Sequence, residues 1–166
     1  MKLTSVQAVV RELDADGVRF LIAGGVAVNA HGYQRFTKDL DLIVQLATEN
    51  LRAAFGALAR LGYQPQVPIT AEQLADGELR RLLIREKGMQ VLQFWSDQHR
   101  ETPVDVFVNE PFPFDEEFAR AAVKDLGNAG PVRIVSLPSL IQMKESAGRL
   151  EDQIDVQYLR MRLEGP

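Results

Sequence analysis

The fold is decided by the stretch Phe20–Val44, which reads FLIAGGVAVNAHGYQRFTKDLDLIV. Its pattern predicts a buried strand, a glycine pair, a short helix and a second strand that carries two acids. These elements fall at 18–23, Gly24-Gly25, 25–32 and 39–45. A strand uses its positions for packing, so acids inside one need a separate explanation.

The two acids are Asp39 and Asp41. Residues i and i+2 of a strand share one face, which puts their Cα atoms roughly 6.5 Å apart. Two carboxylates at that separation can converge on one cation or on a close pair of metal ions. A solvent-facing stripe of an exposed strand is the simpler interpretation of the same pattern.

The pair Gly24-Gly25 stands between the first strand and the short helix. Glycine lets backbone amides approach a ligand closely, and the start of a helix offers unpaired N–H groups that suit a phosphate. A tight turn that requires a positive φ angle explains the same pair without any ligand. Gly24-Gly25 by itself therefore leaves both interpretations open.

Composition limits the possible functions. The chain has 166 residues, a formal net charge of −4, no cysteine and two histidines. Disulfides, thiolate metal sites and multi-histidine zinc sites are therefore not expected. The negative charge does not suit a general nucleic-acid coat protein, and no apolar run is long enough for a membrane span. We expect a cytoplasmic protein.

The order of elements predicts an α+β fold in which a small mixed β-sheet is flanked by helices and followed by a helical C-terminal subregion. A single domain over 1–166 is expected, with a core at about 1–135 and helices at about 136–166. Further predicted elements are helices at 70–87, 115–126, 137–148 and 150–163, and a hairpin of strands at 89–96 and 103–109.

Asp105 lies in the second strand of that hairpin. The valines at 104, 106 and 108 share one face, so Asp105 points to the other. If this strand pairs beside residues 39–45, Asp105 joins the other two acids, and three neighbouring carboxylates call for a hard cation such as Mg²⁺. An exposed residue of a half-buried strand is the alternative.

Lys144 falls on or near the apolar face of its helix. A lysine there either extends to solvent or meets a buried anion. Asp152 and Asp155 follow on the next helix and are placed to fix its ammonium group; a capping role is the alternative for Asp152. By helical spacing, Arg149 is expected to pair with Glu145.

Three features together resemble the DNA-polymerase-β-like nucleotidyltransferase superfamily. They are Gly24-Gly25, the run Arg35-x-Thr37-x-Asp39-x-Asp41, and Asp105 on a later strand. The tail at 136–155, SLPSLIQMKESAGRLEDQID, is similar to AbiEii/MenA-type nucleotidyltransferases, which occur among bacterial toxins. The resemblance covers nearly the whole chain. In one departure, the second glycine is often serine in the superfamily, and its hydroxyl can bind phosphate.

The resemblance implies a Mg²⁺-dependent enzyme that transfers NMP from an NTP, such as ATP, to a hydroxyl by two-metal catalysis. The implied metal ligands and catalytic residues are Asp39, Asp41 and Asp105. The implied nucleotide-binding residues are Gly24, Gly25, Arg35, Thr37, Lys144, Asp152 and Asp155. In this scheme Lys144 contacts the triphosphate, and Asp152 or Asp155 orients it.

The acceptor is left open as tRNA or another RNA, a protein side chain or a small molecule. The protein is then the toxin of a toxin–antitoxin pair, with a cognate antitoxin as partner, or a related enzyme. An aminoglycoside-type nucleotidyltransferase is the enzyme alternative and needs an acidic pocket. A non-catalytic binding protein with the same fold is the third hypothesis. The basic segment at 80–87 slightly favours RNA over a cationic drug.

Overall fold

A computed structural model describes residues 1–165 of the chain. The helices of this part are α1 (Leu3–Ala15), α2 (Gly24–Ala30), α3 (Thr48–Arg60), α4 (Ala71–Ala75), α5 (Gly77–Lys87), α6 (Phe114–Arg120), α7 (Leu137–Ala147) and α8 (Leu150–Glu164). The strands are β1 (Phe20–Ile22), β2 (Leu40–Val44), β3 (Gln64–Pro65), β4 (Val91–Trp95), β5 (Val104–Phe107), β6 (Ala122–Asp125) and β7 (Pro131–Ile134).

The seven strands form one mixed sheet in the order β3-β4-β5-β2-β1-β7-β6. The pairs β2–β5 and β1–β7 are parallel, and the other four pairs are antiparallel. The predicted α+β class with a mixed sheet and flanking helices is therefore confirmed. No helix within residues 1–165 is both long enough and apolar enough to cross a membrane.

The centre of the sheet is the parallel pair of β2 and β5. Leu40 lies opposite Val104, and Leu42 lies opposite Val106; all four side chains are buried in the core. Because side chains alternate along a strand, the residue between each apolar pair points to the other face of the sheet. Packing of one face thus fixes which residues reach the opposite face.

The predicted hairpin is confirmed, since β4 and β5 are adjacent and antiparallel. Gln93 lies opposite Asp105, and Val91 lies opposite Phe107. This register adds two further side chains to the face of the sheet that Asp105 occupies.

Two predicted helices differ from the structure. The expected helix at 115–126 ends at Arg120, and Ala122–Asp125 is instead the edge strand β6, which pairs with β7. Backbone hydrogen bonding to a strand later in the chain overrides the local helical pattern there. The expected helix at 70–87 is two helices, because the Asp76 carboxylate caps the second one by accepting hydrogen bonds from the N–H groups of Glu78 and Leu79.

The last two helices follow the sheet directly. They break at Gly148, as predicted, and this glycine has the left-handed φ of +67°. The resulting antiparallel pair brings the end of α7 against the start of α8. The division into a core at 1–135 and a helical region at 136–166 stays a prediction, and its last residue, Pro166, lies outside the described residues.

Candidate active site

The acids of β2 and β5 lie side by side. Asp41 is the register partner of Asp105 on the parallel strand, so their backbones are about 4.8 Å apart. Asp39 stands one residue before β2 begins at Leu40, and not inside the strand as predicted. All three side chains line one cavity of about 870 Å³. The parallel pairing, which the sequence left conditional, brings Asp105 to the other two acids.

The negative charges of these acids are not neutralised locally. Burial, followed by the charges of Asp105 and Asp39, raises the pKa of Asp41 to about 7. Burial also raises the pKa of Asp105, although the Gln93 amide opposes this by donating a hydrogen bond of 2.9 Å to Oδ1. The cavity therefore holds carboxylates that would be stabilised by a cation.

The donor chemistry fits a hard divalent ion, since it consists of carboxylate oxygens beside an amide. As the side chains stand, however, no three His, Cys, Asp or Glu residues within 1–165 are gathered closely enough to form a metal cluster. The Asp41 carboxylate is turned towards Gly24 and occupies the space that a Cβ at that glycine would fill. The acids thus share a cavity without yet converging on one point.

The glycine pair has a steric explanation at both positions. Gly24 has a φ of +58°, which disfavours any other residue, and a Cβ there would overlap with Asp41. Gly25 packs closely against Thr37, and a Cβ at position 25 would overlap with the Thr37 hydroxyl and Cβ. The Thr37 hydroxyl therefore fills the place where a serine at position 25 would project.

Opposite the acids lies a buried cation. Lys144 is 5% exposed, and its Nζ lies 2.7 Å from Asp152 Oδ1 and 3.0 Å from Asp155 Oδ2. Both carboxylates are themselves 1% exposed or less. Of the two possibilities for this lysine, the structure shows contact with buried anions. The ammonium group is thereby held in one place at the edge of the cavity.

Two arginines complete this ionic network. Arg35 Nε lies 2.8 Å from Asp155 Oδ1, and Arg35 Nη2 donates to Asp155 Oδ2 at 2.9 Å. Arg149 Nε donates to Asp152 Oδ2 at 2.8 Å. Although burial opposes it, hydrogen bonds from Arg149 and Lys144 hold the pKa of Asp152 below its usual value. Arg149 also lies 3.6 Å from a carboxylate oxygen of Glu151, so three cations face three carboxylates in this network.

The expected pairing of Arg149 with Glu145 is wrong. Arg149 instead contacts Asp152 and Glu151, and Glu145 pairs with Arg160. The reason is that Gly148 ends α7, so Arg149 is no longer on the same helix as Glu145 and the i,i+4 geometry does not exist.

Asn29 is a residue that the sequence interpretation did not single out. Its side chain accepts a hydrogen bond from the Arg35 N–H at 2.9 Å and donates one to the Arg35 carbonyl at 3.0 Å. This double contact ties the segment before β2 to α2 and holds Arg35 where it meets Asp155. The signal was a single amide in an otherwise apolar helix.

Glu117 was also missed. It lies on α6 and is fully buried against the start of α7, where it accepts hydrogen bonds from the Ser136 N–H and the Ser139 hydroxyl, each at 2.7 Å. Burial works against it, yet these bonds and one from Arg120 keep the pKa of Glu117 below normal. The carboxylate thus anchors the helix that carries Lys144.

The structure brings the predicted residues together around one cavity. Those that line it are Gly24, Gly25, Arg35, Thr37, Asp39, Asp41, Asp105, Lys144 and Asp152. Asp155 lies behind them and reaches the cavity only through Lys144 and Arg35. The three acids and the ionic network around Lys144 thus line one cavity.

Three solved structures share this architecture. The lincosamide antibiotic adenylyltransferase LnuA, lincomycin-bound, superposes with a TM-score of 0.56 at 11% identity over 90% of each chain. The antibiotic-resistance factor ANT(2'')-Ia in solution gives 0.63 at 15% identity, over 97% of this chain and 83% of its own. Its crystal structure in complex with adenylyl-2''-tobramycin gives 0.60 at 15% identity, over 98% and 89%.

The chain has a nucleotidyltransferase fold. At these identities the likeness concerns the fold alone. No protein-family model and no curated protein sequence matches the chain. The nucleotidyltransferase fold agrees with the mixed sheet and with the superfamily that the sequence resembles, whereas the similarity to AbiEii/MenA-type proteins stays a prediction.

Proposed function

We propose that the protein is a Mg²⁺-dependent nucleotidyltransferase that transfers a nucleoside monophosphate from an NTP to a hydroxyl of a small molecule. The observation that carries the proposal is the placement of Asp41 opposite Asp105 on parallel strands, across one cavity from the buried Lys144. A cavity lined both by carboxylates and by cationic side chains suits a metal-bound triphosphate. The nucleotidyltransferase fold supports the same conclusion.

Each group has a role in this proposal. Asp39, Asp41 and Asp105 would hold Mg²⁺, which when bound neutralises the triphosphate and the attacking oxygen. Lys144 contacts the triphosphate. Asp152 and Asp155 orient its ammonium group, since a carboxylate oxygen of each lies within 3.0 Å of Nζ. This division places the negative side chains and the positive ones on opposite sides of the nucleotide's phosphates.

The remaining nucleotide-binding residues surround the glycine turn. Gly24 and Gly25 allow the backbone to approach the phosphates because neither has a side chain. Arg35 and Thr37 line the same end of the cavity. In this proposal the Thr37 hydroxyl serves the phosphate in place of the serine that is frequent at position 25 in the superfamily.

The proposed reaction is an in-line displacement at the α-phosphorus. The acceptor oxygen forms a bond to the α-phosphorus, the bond from that phosphorus to the bridging oxygen breaks, and pyrophosphate leaves. The hydroxyl proton passes to the Asp105 carboxylate and from there to solvent. The Asp105 carboxylate lines the cavity, where an acceptor hydroxyl can reach it.

Calorimetry with ATP and Mg²⁺ tests the proposal, together with transfer of label from ATP that is radiolabelled at the α-phosphate. Tobramycin, lincomycin and total tRNA serve as trial acceptors. Binding and transfer should be lost in Asp41→Asn and Asp105→Asn. They should persist in Asp97→Asn, whose exposed carboxylate pairs with Arg100 and lies outside the cavity. Absence of ATP binding to the folded protein, with and without Mg²⁺, would overturn the proposal.

The toxin-type role with an RNA acceptor is a second hypothesis that only the sequence resemblance supports. In the basic segment at 80–87, which slightly favoured RNA as the acceptor, Arg81 and Arg85 form ion pairs with Glu78 and Glu86 of the same helix. Their positive charges are thus matched locally, which weakens attraction for a polyanion. Label transfer to tRNA and not to small molecules would select this hypothesis instead.

A further inference from the structure

One side of the cavity carries no charge. It consists of Gln90, Val91, Phe107, Asn109, Pro111 and Phe112, called here the acceptor wall. Its apolar members are a valine, a proline and two half-buried phenylalanines, and its polar members are two amides. The other parts of the cavity carry the carboxylates and the cationic network described above.

The acceptor wall begins directly beside Asp105. Phe107 is two residues further along β5 and points to the same face, about 6.6 Å away. Val91 lies opposite Phe107 on β4 and extends the wall sideways. An acceptor that lies against Phe107 therefore has its hydroxyl within reach of the carboxylate that would take its proton.

The glycine turn lies in the opposite direction. Strand β1 is antiparallel to β2, with Ile22 opposite Leu42, so the turn after β1 reaches the end of the sheet where β2 begins. Because β5 is parallel to β2, Phe107 lies towards the other end. The phosphates and the acceptor wall thus occupy opposite sides of the acid pair, as transfer from one to the other requires.

The chemistry of the wall selects the acceptor. A polycation would be drawn to acids, yet the wall has none beyond Asp105. The neighbouring Glu110 does not line the cavity. A polyanion would need cations, and the wall has none either. Aromatic faces and amides instead match an apolar ring with a neutral polar group.

We propose that the acceptor is an uncharged small molecule whose apolar ring packs on Phe107 and Phe112 and whose hydroxyl lies beside Asp105. This inference rests on the proposed function and narrows its substrate class. The cavity volume of about 870 Å³ is near the upper end for small-molecule sites, which leaves room for a nucleotide and an acceptor together.

A matched pair of neutral glycosides tests the inference. Phenyl β-D-glucopyranoside carries a ring and methyl β-D-glucopyranoside lacks it; tobramycin and total tRNA represent a polycation and a polyanion. Binding is measured by saturation-transfer NMR with Mg²⁺ and a non-hydrolysable ATP analogue, and then by label transfer from ATP. We expect the phenyl glucoside to bind at least about tenfold more tightly than the methyl glucoside.

Variants of the wall provide the structural control. Phe107→Ala and Phe112→Ala should each weaken binding of the phenyl glucoside about tenfold. Trp95→Ala should leave it unchanged, because Trp95 is an exposed aromatic residue on β4 that does not line the cavity. A thermal melt shows whether each variant is folded. If an alanine variant is not folded, leucine replaces alanine at that same position.

The outcomes separate the two proposals. Equal binding of both glucosides, an unchanged affinity in folded Phe107 and Phe112 variants, or tighter binding of tobramycin or tRNA would overturn the inference while ATP binding stands. Loss of ATP binding with an intact preference for the phenyl glucoside would instead overturn the proposed function and leave the apolar acceptor wall supported.

Discussion

Asp41 lies directly opposite Asp105 on the neighbouring parallel strand, and the two carboxylates reach the same cavity. Neither forms an ion pair within residues 1–165, whereas the buried Lys144 across the cavity is paired twice. The charges of Lys144 and Arg149 lower the pKa of Asp41, but burial and the other acids raise it by more, so the negative charge is only partly compensated. Four predictions follow from this imbalance and from the contacts that surround it.

Asp41 should destabilise the metal-free protein at neutral and higher pH. Its pKa is about 7 in the fold and near 3.8 in the unfolded chain, so only the folded state holds the proton between these values. The contribution of Asp41 to stability is therefore fully present below about pH 4 and is lost as the pH rises through 7, by about 4 kcal/mol at most. Asp41→Asn should be more stable than the wild type at about pH 8, and this advantage should shrink at about pH 5.

Urea denaturation at the two pH values, with chelator present, measures this difference. Asp97→Asn serves as the control, because its carboxylate is exposed and outside the cavity. A wild-type protein that is as stable as Asp41→Asn at both pH values would contradict the charge imbalance.

Mg²⁺ should stabilise the protein in a pH-dependent manner. Above about pH 7 the Asp41 carboxylate is ionised and available, whereas at about pH 5 a proton competes with the metal for it. We expect millimolar Mg²⁺ to raise the melting temperature by about 3–6 °C at the higher pH and by less at the lower. The shift should vanish in Asp41→Asn and Asp105→Asn. An equal shift in all variants would assign the effect to another part of the molecule.

Removal of the Lys144 charge should weaken the whole ionic network. Lys144→Met removes one partner from two buried ion pairs, and the loss of one partner costs up to about 3–5 kcal/mol, although Asp152 and Asp155 each keep one arginine. Denaturant melts measure the loss. Adding Asp152→Asn to this variant should cost less than the two single effects combined, since the Lys144–Asp152 contact is already lost in the first variant. Strict additivity would show that the contacts are not energetically coupled.

A serine at position 25 should be tolerated only if Thr37 is also changed. Gly25→Ser places a Cβ against the Thr37 hydroxyl and Cβ, and such overpacking costs about 1–3 kcal/mol. Gly25→Ser with Thr37→Gly removes the overlap and moves the hydroxyl from one chain position to the other. We expect the pair to recover stability and ATP affinity beyond either single variant. A double variant no better than Gly25→Ser would contradict the exchange of hydroxyl positions.

The spacing of apolar residues within single strands and helices was enough to predict the faces on which Asp105 and Lys144 lie. The valines at 104, 106 and 108 fixed the face of Asp105, and the spacing of Lys144 against its apolar neighbours marked it as unusual. The pairing of β2 with β5 was not visible in the sequence, because a parallel pair joins segments that are far apart in the chain. The catalytic and binding roles of these residues stay predictions.

The missed features share one physical cause. Strand β6 exists through its pairing with β7, and Glu117 is buried because it accepts bonds from Ser136 and Ser139. The Asn29 side chain has its role because it forms two hydrogen bonds with the Arg35 backbone. In each case a partner elsewhere in the chain overrides what the local pattern indicates.

The parallel contact of β2 and β5 also has a consequence for biosynthesis. Asp41 and Asp105 are separated by about 60 residues of chain, and Lys144 follows about 40 residues later. Closing such long loops is entropically costly and makes non-local pairing a late event in folding. A nascent chain that ends before α8 lacks Asp152 and Asp155, so the charged cavity cannot be complete before most of the protein has left the ribosome. Under the proposed function, the ability to bind a nucleotide would therefore arise only once α8 has joined the fold.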